Sequence, residues 1–289
     1  MTDKTWDVAA ILKTTTDFFG QKGLPTPRLE AELLLAEILK LRRVDLYVQF
    51  ERHLTPAEVD AYRELVKRRL NREPTAYILG RKEFYLLPFK VTPATLIPRP
   101  ETERLVDEAL LLTKNLPNPK IADIGCGCGA IALALAKNLP QSHVTAVDLS
   151  PATLEVAKEN ALALNLTSQT EFYLGDLTEP LTNQTFDLIC ANLPYVPHDD
   201  LATLEPDVVK FEPLLALDGG PDGLDLYRRL VNGISRWLKP LAYLLLEIHP
   251  PTLEELTKLI VAEGLTFIKA IPDYARANRL VLAQKPIFL

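Results

Sequence analysis

Long apolar runs are missing from this 289-residue chain. The longest candidate, Ile131–Ala136, falls far short of the ~20 consecutive apolar residues that cross a bilayer, so no membrane span is expected. The first residues, Met1-Thr2-Asp3-Lys4-Thr5-Trp6-Asp7, mix both charge signs and lack the apolar core of a signal peptide. A cytoplasmic protein is the expectation. Cysteine is scarce: Cys126, Cys128 and Cys190 are too few for a disulfide framework. Cys126 and Cys128 have only a glycine between them, whereas zinc pairs are usually Cys-x-x-Cys, and His53, His143, His198 and His249 are scattered. No metal site is expected. A general basic character is also lacking. The net charge is −6, with 13 Lys/Arg against 12 Asp/Glu in residues 1–75 and 19 against 26 in residues 76–289. An acidic body binds polyanions poorly, because nucleic-acid affinity rests mostly on phosphate neutralisation. The small basic clusters Lys40/Arg42/Arg43 and Lys67/Arg68/Arg69/Arg72 read as solvated helix faces, with docking of an acidic partner as the minority reading.

What is present is a globular composition, 47% hydrophobic and 24% charged, which excludes wholesale disorder. At ~100–200 residues per domain the length suits two domains or one large one. Residues 1–72 read as helices only. Val8–Phe19 and the segment from Pro27 to Leu41 have apolar faces at helical spacing. Thr55-Pro56-Ala57-Glu58 supplies an N-cap, a proline at the first helical position and a glutamate at the third. A small helical bundle is predicted there. Residues 73–100 hold Pro74, Pro88, Pro93, Pro98 and Pro100, which exclude a long helix. Phe84-Tyr85-Leu86 and Phe89-Lys90-Val91, flanking Leu87-Pro88, predict a β-hairpin linker. Residues 101–289 form the third region. A helix from the Pro98–Glu103 segment to about Thr113 leads into alternating strands and helices, including a helix over Leu224–Leu238. That alternation predicts an α/β domain with a mainly parallel sheet. Ligands of such sheets bind at the C-terminal strand edge near the switch point.

Ile121-Ala122-Asp123-Ile124 is a strand that runs into Gly125-Cys126-Gly127-Cys128-Gly129. The G-x-G-x-G spacing differs from the dinucleotide G-x-G-x-x-G. Glycine permits a tight bend and close approach of a ligand. Asp123, acidic at the strand end, disfavours a phosphate and suits a cationic ligand. S-adenosylmethionine fits, since its amino group and sulfonium are positive. Nineteen residues past Gly129 the next strand ends in Asp148, in the position that commonly accepts from ribose hydroxyls. The alternative for Asp148 is a charge at a helix N-terminus. Asp176 ends the third strand, placed to accept from an adenine amino group with Leu177 against the ring. A plain turn aspartate is the alternative there.

The strand Asp187–Ala191 runs into Asn192-Leu193-Pro194-Tyr195. A planar –NH2 group is a weak nucleophile because its lone pair is delocalised. The Asn192 side-chain oxygen and the Pro194 carbonyl can each accept one of its N–H bonds and hold the nitrogen in line with a methyl donor. Tyr195 can cover its planar face. Positioning and polarisation then supply the rate. The motif specifies an amide or exocyclic amine, and does not by itself separate glutamine from adenine. An ordinary strand-end turn is the bland alternative.

These residues resemble the HemK/PrmC family of release factor glutamine methyltransferases over nearly the whole chain. The resemblance takes in Ala76–Gly80, Lys82–Tyr85, Leu96–Glu103, Asp123–Gly129, Ala146–Asp148, Asn192–Tyr195, Phe211–Leu224 and Leu244–Ile248. It implies a class I S-adenosylmethionine-dependent methyltransferase fold with a Rossmann-like seven-stranded sheet, a five-helix N-terminal domain that docks the release factor, and a hairpin linker. It implies methylation of the glutamine amide in the Gly-Gly-Gln motif of class I peptide chain release factors, with S-adenosylhomocysteine as product. By position, Asp123, Gly125, Cys126, Gly127, Cys128, Gly129, Asp148, Asp176, Leu177 and Asn192 would contact the donor. Asn192, Leu193, Pro194 and Tyr195 would hold the glutamine, with Asn192, Pro194 and Tyr195 as the catalytic group.

The chain departs from the family pattern at Leu193, where a second proline is usual, and at Cys126 and Cys128, where Thr or Ser is common. His249 and Ala275 or Arg276 stand near positions where glycine is usual. The irregular stretch Val196–Gly223 is expected to shape the opening for the Gly-Gly-Gln loop, with the hairpin and Arg99 and Glu101 on the opposite wall. Two other readings compete. An N6-adenine methyltransferase of rRNA or DNA would need a basic face, and the acidic body and the Glu212–Leu224 segment argue against it. A non-catalytic S-adenosylmethionine-binding module of the translation machinery would not need the intact Asn192-x-Pro194-Tyr195. A monomer that needs no direct nucleic-acid contact is expected.

Overall fold

Helix α1 (Val8–Gln21) starts where the Asp7 side chain accepts from Ala10 N at 2.7 Å. Helix α2 (Pro27–Leu39) has proline at its first position. A short α3 (Arg43–Val48) precedes α4 (Pro56–Leu70). At α4 the predicted capping box is formed: Thr55 Oγ1 accepts from Glu58 N, and Glu58 accepts from Thr55 N at 2.8 Å. With α5 (Thr75–Leu79), these helices enclose Val8, Leu12, Phe19, Leu34, Leu35, Leu46 and Tyr62. The computed structural model describes residues 5–273 and 275–288. Met1–Lys4, on which the absence of a leader was partly read, lie outside the described residues. Among the described residues no helix is long and apolar enough to cross a membrane.

The chain divides into two compact units. One runs to Gly80 and also takes Glu205–Phe211; the other holds Arg81–Leu204 and the chain from Glu212 onward. The returning piece supplies α9 (Pro206–Phe211). Its Asp207 explains why an arginine of the expected solvated cluster is buried. Arg69, 2% exposed, pairs with Glu30 of α2 and with Asp207 Oδ2 at 2.6 Å.

In the second unit, β1 (Arg81–Phe84) and β2 (Leu87–Lys90) form the hairpin. The turn is not at Leu87-Pro88, as the sequence suggested, but at Tyr85-Leu86, whose φ values are +50° and +61°. Positive φ at both central residues is the signature of the type I′ form of a two-residue hairpin turn. The tip is held by α6 (Glu103–Thr113): Tyr85 N donates to Glu103 at 2.8 Å and Tyr85 Oη to Asp107 at 3.0 Å. Pro100–Thr102 form a single 3-10 turn before α6.

The main sheet has β3 (Lys120–Ile124), β4 (His143–Asp148), β5 (Thr170–Leu174), β6 (Phe186–Ala191), β7 (Leu238–Glu247), β8 (Thr266–Pro272) and β9 (Asn278–Gln284). Their order is β5-β4-β3-β6-β7-β9-β8. The first five are parallel and β9 is antiparallel to both its neighbours. This is the seven-stranded mixed sheet of the class I methyltransferase type. Helices α7 (Ala130–Asn138), α8 (Pro151–Ala163), α10 (Asp225–Val231) and α11 (Leu253–Ala262) complete it. The long helix expected over Leu224–Leu238 breaks after Val231, because Gly233 takes φ +71° and only a 3-10 turn, Ile234–Trp237, follows. Val196–Gly223 is not wholly irregular: it holds 3-10 turns at His198–Thr203 and Leu214–Ala216 as well as α9.

Candidate active site

The sheet changes direction at β3. The chain steps outward through β4 and β5, then returns to the other side of β3 as β6. Ile124 and Ala191 are therefore register partners at the ends of adjacent parallel strands. The loops that follow them, Gly125–Gly129 and Asn192–Tyr195, emerge side by side at the switch point. A cavity of about 340 Å³ opens between them, at the lower end of the ~300–1,000 Å³ of small-molecule sites.

The glycine loop is pinned from β4. Gly125 N and Cys126 N both donate to Val147 O, at 2.8 and 2.9 Å. Gly125, at φ +75°, has no room for a side chain, since a Cβ there would meet Leu193 Cδ2 at 2.8 Å. At Gly127 the same direction is open. Cys126 and Cys128 lie on the cavity wall with the two glycines. Burial pushes both thiols up, Cys128 to about 12, so they remain protonated.

Asp148 also lies on the wall. Its oxygens accept from Gly127 N and Ser150 N, each at 2.9 Å. Burial raises its pKa, and the surrounding backbone N–H groups pull the other way. Beyond it, Asp176 and Leu177 line the cavity, but Asp176 is not a lone acceptor: Arg229 Nη2, on the same wall, holds its Oδ2 at 2.5 Å.

On the other side, Asn192, Leu193 and Pro194 face the cavity. Asn192 Nδ2 donates to Thr102 Oγ1 at 3.2 Å. Tyr227 Oη sits between Leu193 N and Leu193 O, at 3.3 and 3.2 Å. The loop is backed by the segment after Leu217. Val196 N donates to Leu217 O at 3.1 Å and Gly219 N to Val196 O at 2.9 Å. A Cβ on Gly219 would meet Pro194 O at 2.8 Å, and one on Gly223 would meet Tyr195 O at 2.3 Å. These glycines let two backbones touch. Pro213, Leu215 and Ala216, within the stretch expected to shape the opening, are on the wall. Arg99 is there too, tied to the buried Glu212 at 2.6 Å.

Two findings from known proteins bear on this arrangement. Residues 10–80 match the PrmC N-terminal domain and residues 103–209 the Methyltransferase small domain. A release factor glutamine methyltransferase of Rhodopirellula baltica is 40% identical over 290 residues, covering 98% of each chain. The chain belongs to the release factor glutamine methyltransferase family. A second such methyltransferase, from Geobacter sulfurreducens, is 45% identical over 86% of this chain and 87% of its own. Among solved structures, the hMettl16 catalytic domain in complex with a MAT2A 3'UTR hairpin superposes with a TM-score of 0.59 at 14% identity, over 78% of this chain and 83% of that one. That likeness concerns the fold alone.

Four residues that sequence reasoning assigned to a methyltransferase site are not on the cavity wall. Asp123 lies beneath the loop, fully buried, and one oxygen accepts from Ala132 N in the first turn of α7 at 3.0 Å. Burial pushes its carboxyl up to about 7. Gly129 caps α7 at φ +83°. Glu101 is exposed on the turn before α6. Tyr195 turns inward and stacks on His249, with ring centroids 6.3 Å apart. Burial, then the Glu247 charge, raise its hydroxyl to about 12.

Sequence reasoning also passed over Thr102, Arg229 and Glu247. Glu247 carried the one visible signal, a charge directly after Leu244-Leu245-Leu246. It is 1% exposed at the end of β7. Burial pushes it up to about 7 against the opposing pull of Thr102, Arg279 and Tyr195.

Proposed function

We propose that this protein methylates the side-chain amide nitrogen of the glutamine in the Gly-Gly-Gln motif of class I peptide chain release factors, with S-adenosylmethionine as donor. The observation that carries this reading is the meeting of the glycine loop, Asp148 and Asn192-Leu193-Pro194 around one cavity, in a member of this family. The residues fit the donor. Asp148 offers carboxylate oxygens to two ribose hydroxyls. Gly127 leaves open space for close approach, and Leu177 supplies an apolar face for adenine. The buried cysteine thiols line the remainder as small apolar groups. The donor supplies an electrophilic methyl group on a cationic sulfur.

Asn192 and Pro194 do the rest. The Asn192 carboxamide oxygen and the Pro194 carbonyl each accept one N–H of the glutamine amide. This fixes the nitrogen in line and draws electron density toward it. A nitrogen–carbon bond forms as the carbon–sulfur bond breaks. The surplus amide proton then leaves to water, giving N-methylglutamine and S-adenosylhomocysteine. Tyr195 acts from behind the loop, holding its shape. The helical unit takes the docking role, with Val44, Tyr47 and Val48 exposed on α3 as its apolar contacts.

Mass spectrometry of a purified release factor, incubated with the protein and S-adenosylmethionine, tests the reading. One methyl group on the motif glutamine is expected. Asn192→Ala lowers the rate on the order of 10²-fold while donor affinity stays within a few-fold. Methyl transfer to bare rRNA or DNA, with none to the factor, would replace this reading with an adenine methyltransferase.

A further inference from the structure

Asn160 of α8 is 2% exposed, and its carboxamide joins two segments that are far apart in sequence. Oδ1 accepts from Lys90 N at 2.7 Å, and Nδ2 donates to Lys90 O at 3.0 Å. The other Nδ2 hydrogen goes to Cys128 O at 2.9 Å. Chemistry fixes this orientation. Turned over, the carboxamide would set –NH2 against the Lys90 N–H and its oxygen against two carbonyls. Lys90 is the last residue of β2 and lies off the cavity wall, whereas Cys128 is on it.

The glycine loop has use for such a bond. Its ties to β4 reach the N–H groups of Gly125, Cys126 and Gly127 and stop there. Asn160 takes hold of the second half of the loop, by the Cys128 carbonyl. Rotation of that peptide would move the Cys128 thiol on the cavity wall and the Gly129 cap of α7. The same helix also holds the chain that follows β2, since Thr153 Oγ1 donates to Ala94 O at 2.8 Å, both residues being on the wall. We propose that Asn160 is a positioning residue for the donor site. By bonding Lys90 and Cys128 at once it sets the second half of the glycine loop against β2, so that the hairpin and the donor loop hold each other in place. It acts through Cys128 and contributes no atom to the cavity wall. This deepens the methyl-transfer reading and rests on it for the identity of the donor.

The test compares wild type with Asn160→Leu, Asn160→Ala and Glu159→Gln. The last removes the exposed ion pair of Glu159 with Lys90 Nζ at 2.5 Å and leaves the carboxamide intact. Three quantities are read: S-adenosylhomocysteine binding by calorimetry, the kinetics of factor methylation, and amide hydrogen exchange by nuclear magnetic resonance with and without saturating S-adenosylhomocysteine. Asn160→Leu and Asn160→Ala are expected to weaken product binding roughly 5–30-fold, the worth of one or two hydrogen bonds. KM for S-adenosylmethionine rises by a like factor, while kcat and KM for the factor stay within about threefold. Glu159→Gln stays within about twofold of wild type throughout. In wild type, S-adenosylhomocysteine slows exchange of both Gly127 N–H and Lys90 N–H, because coupling through one bracket runs both ways. In the two Asn160 variants it slows Gly127 alone. Unchanged product affinity in those variants, or a Lys90 response that persists in them, would overturn the proposal. Loss of the Lys90 response in Glu159→Gln would overturn it too, by placing the coupling in the surface ion pair. So would a wild-type Lys90 N–H indifferent to S-adenosylhomocysteine, a result that holds whether or not the variants fold. A wild type that binds S-adenosylhomocysteine but does not methylate the factor would remove the functional reading alone, because binding and exchange still decide the role of Asn160.

Discussion

Asp123 and Asp148 close neighbouring strands of one sheet, yet one is beneath the loop and the other beside the cavity. Their spacing in the sequence told of strand ends. It did not tell which way each carboxylate turns, because that depends on Ala132 N and Gly127 N, donors brought in by the folded loop. Asn192 was legible because a strand end, a proline and an aromatic occur together. Its partner Thr102 was not, since nothing local links the two. The burial of Asp123 has a consequence for pH. Its folded pKa of about 7 exceeds the ~3.9 of an unfolded aspartate. The folded state therefore holds the proton where the unfolded state has released it. Stability from this group is full below pH ~4 and is lost as the pH rises through ~7. Urea midpoints of wild type are expected to fall across that window. Asp123→Asn, which retains an oxygen for Ala132 N, is expected to show a shallower fall. Equal slopes would mean that Asp123 ionises normally.

Among the elements, helix starts were the most readable features. Pro27, Thr55-Pro56 and Ser150-Pro151 act through their own covalent geometry or a side chain three residues away. The hairpin turn was misplaced because Tyr85-Leu86 carries no local turn chemistry. Its Tyr85 N–H is held by Glu103 and its Tyr85 hydroxyl by Asp107, residues of another element. The glycine loop makes the opposite case, since its spacing was informative while the reasons differ from glycine to glycine. Gly125 and Gly127 both have positive φ, but only Gly125 faces a side chain within van der Waals range. Gly127→Ala is expected to cost the ~1–2 kcal/mol of a left-handed L-residue. Gly125→Ala adds overpacking against Leu193, typically ~1–3 kcal/mol, and pushes Leu193 toward the donor. Thermal melts and donor binding should both rank Gly125→Ala as the more damaging. Equal effects would mean that Leu193 moves aside without resistance.

For the whole molecule, alternation of strands and helices announced the sheet, and helical periodicity announced the bundle. The sharing of α9 between sequence-distant parts was invisible, because Arg69 reads as one more member of a solvated basic cluster. Its burial between Glu30 and Asp207 makes it a keystone of the helical unit. Arg69→Met leaves the buried Glu30 without its cation and Asp207 with only the more distant Arg72, at 3.7 Å, and a loss of ~3–5 kcal/mol is expected, read as a lowered urea midpoint. A change within experimental error would mean that the carboxylates take up protons instead.

The same excursion of the chain governs inheritance. Because Glu205–Phe211 belongs with the residues before Gly80, a single crossover at Gly80 between two diverged relatives would pair one parent's Arg69 with the other parent's residue at 207. A working hybrid needs matched joints at Gly80, Leu204 and Phe211. The two units of this protein can therefore drift apart in sequence only as fast as the seven residues Glu205–Phe211 keep pace with the helices they complete.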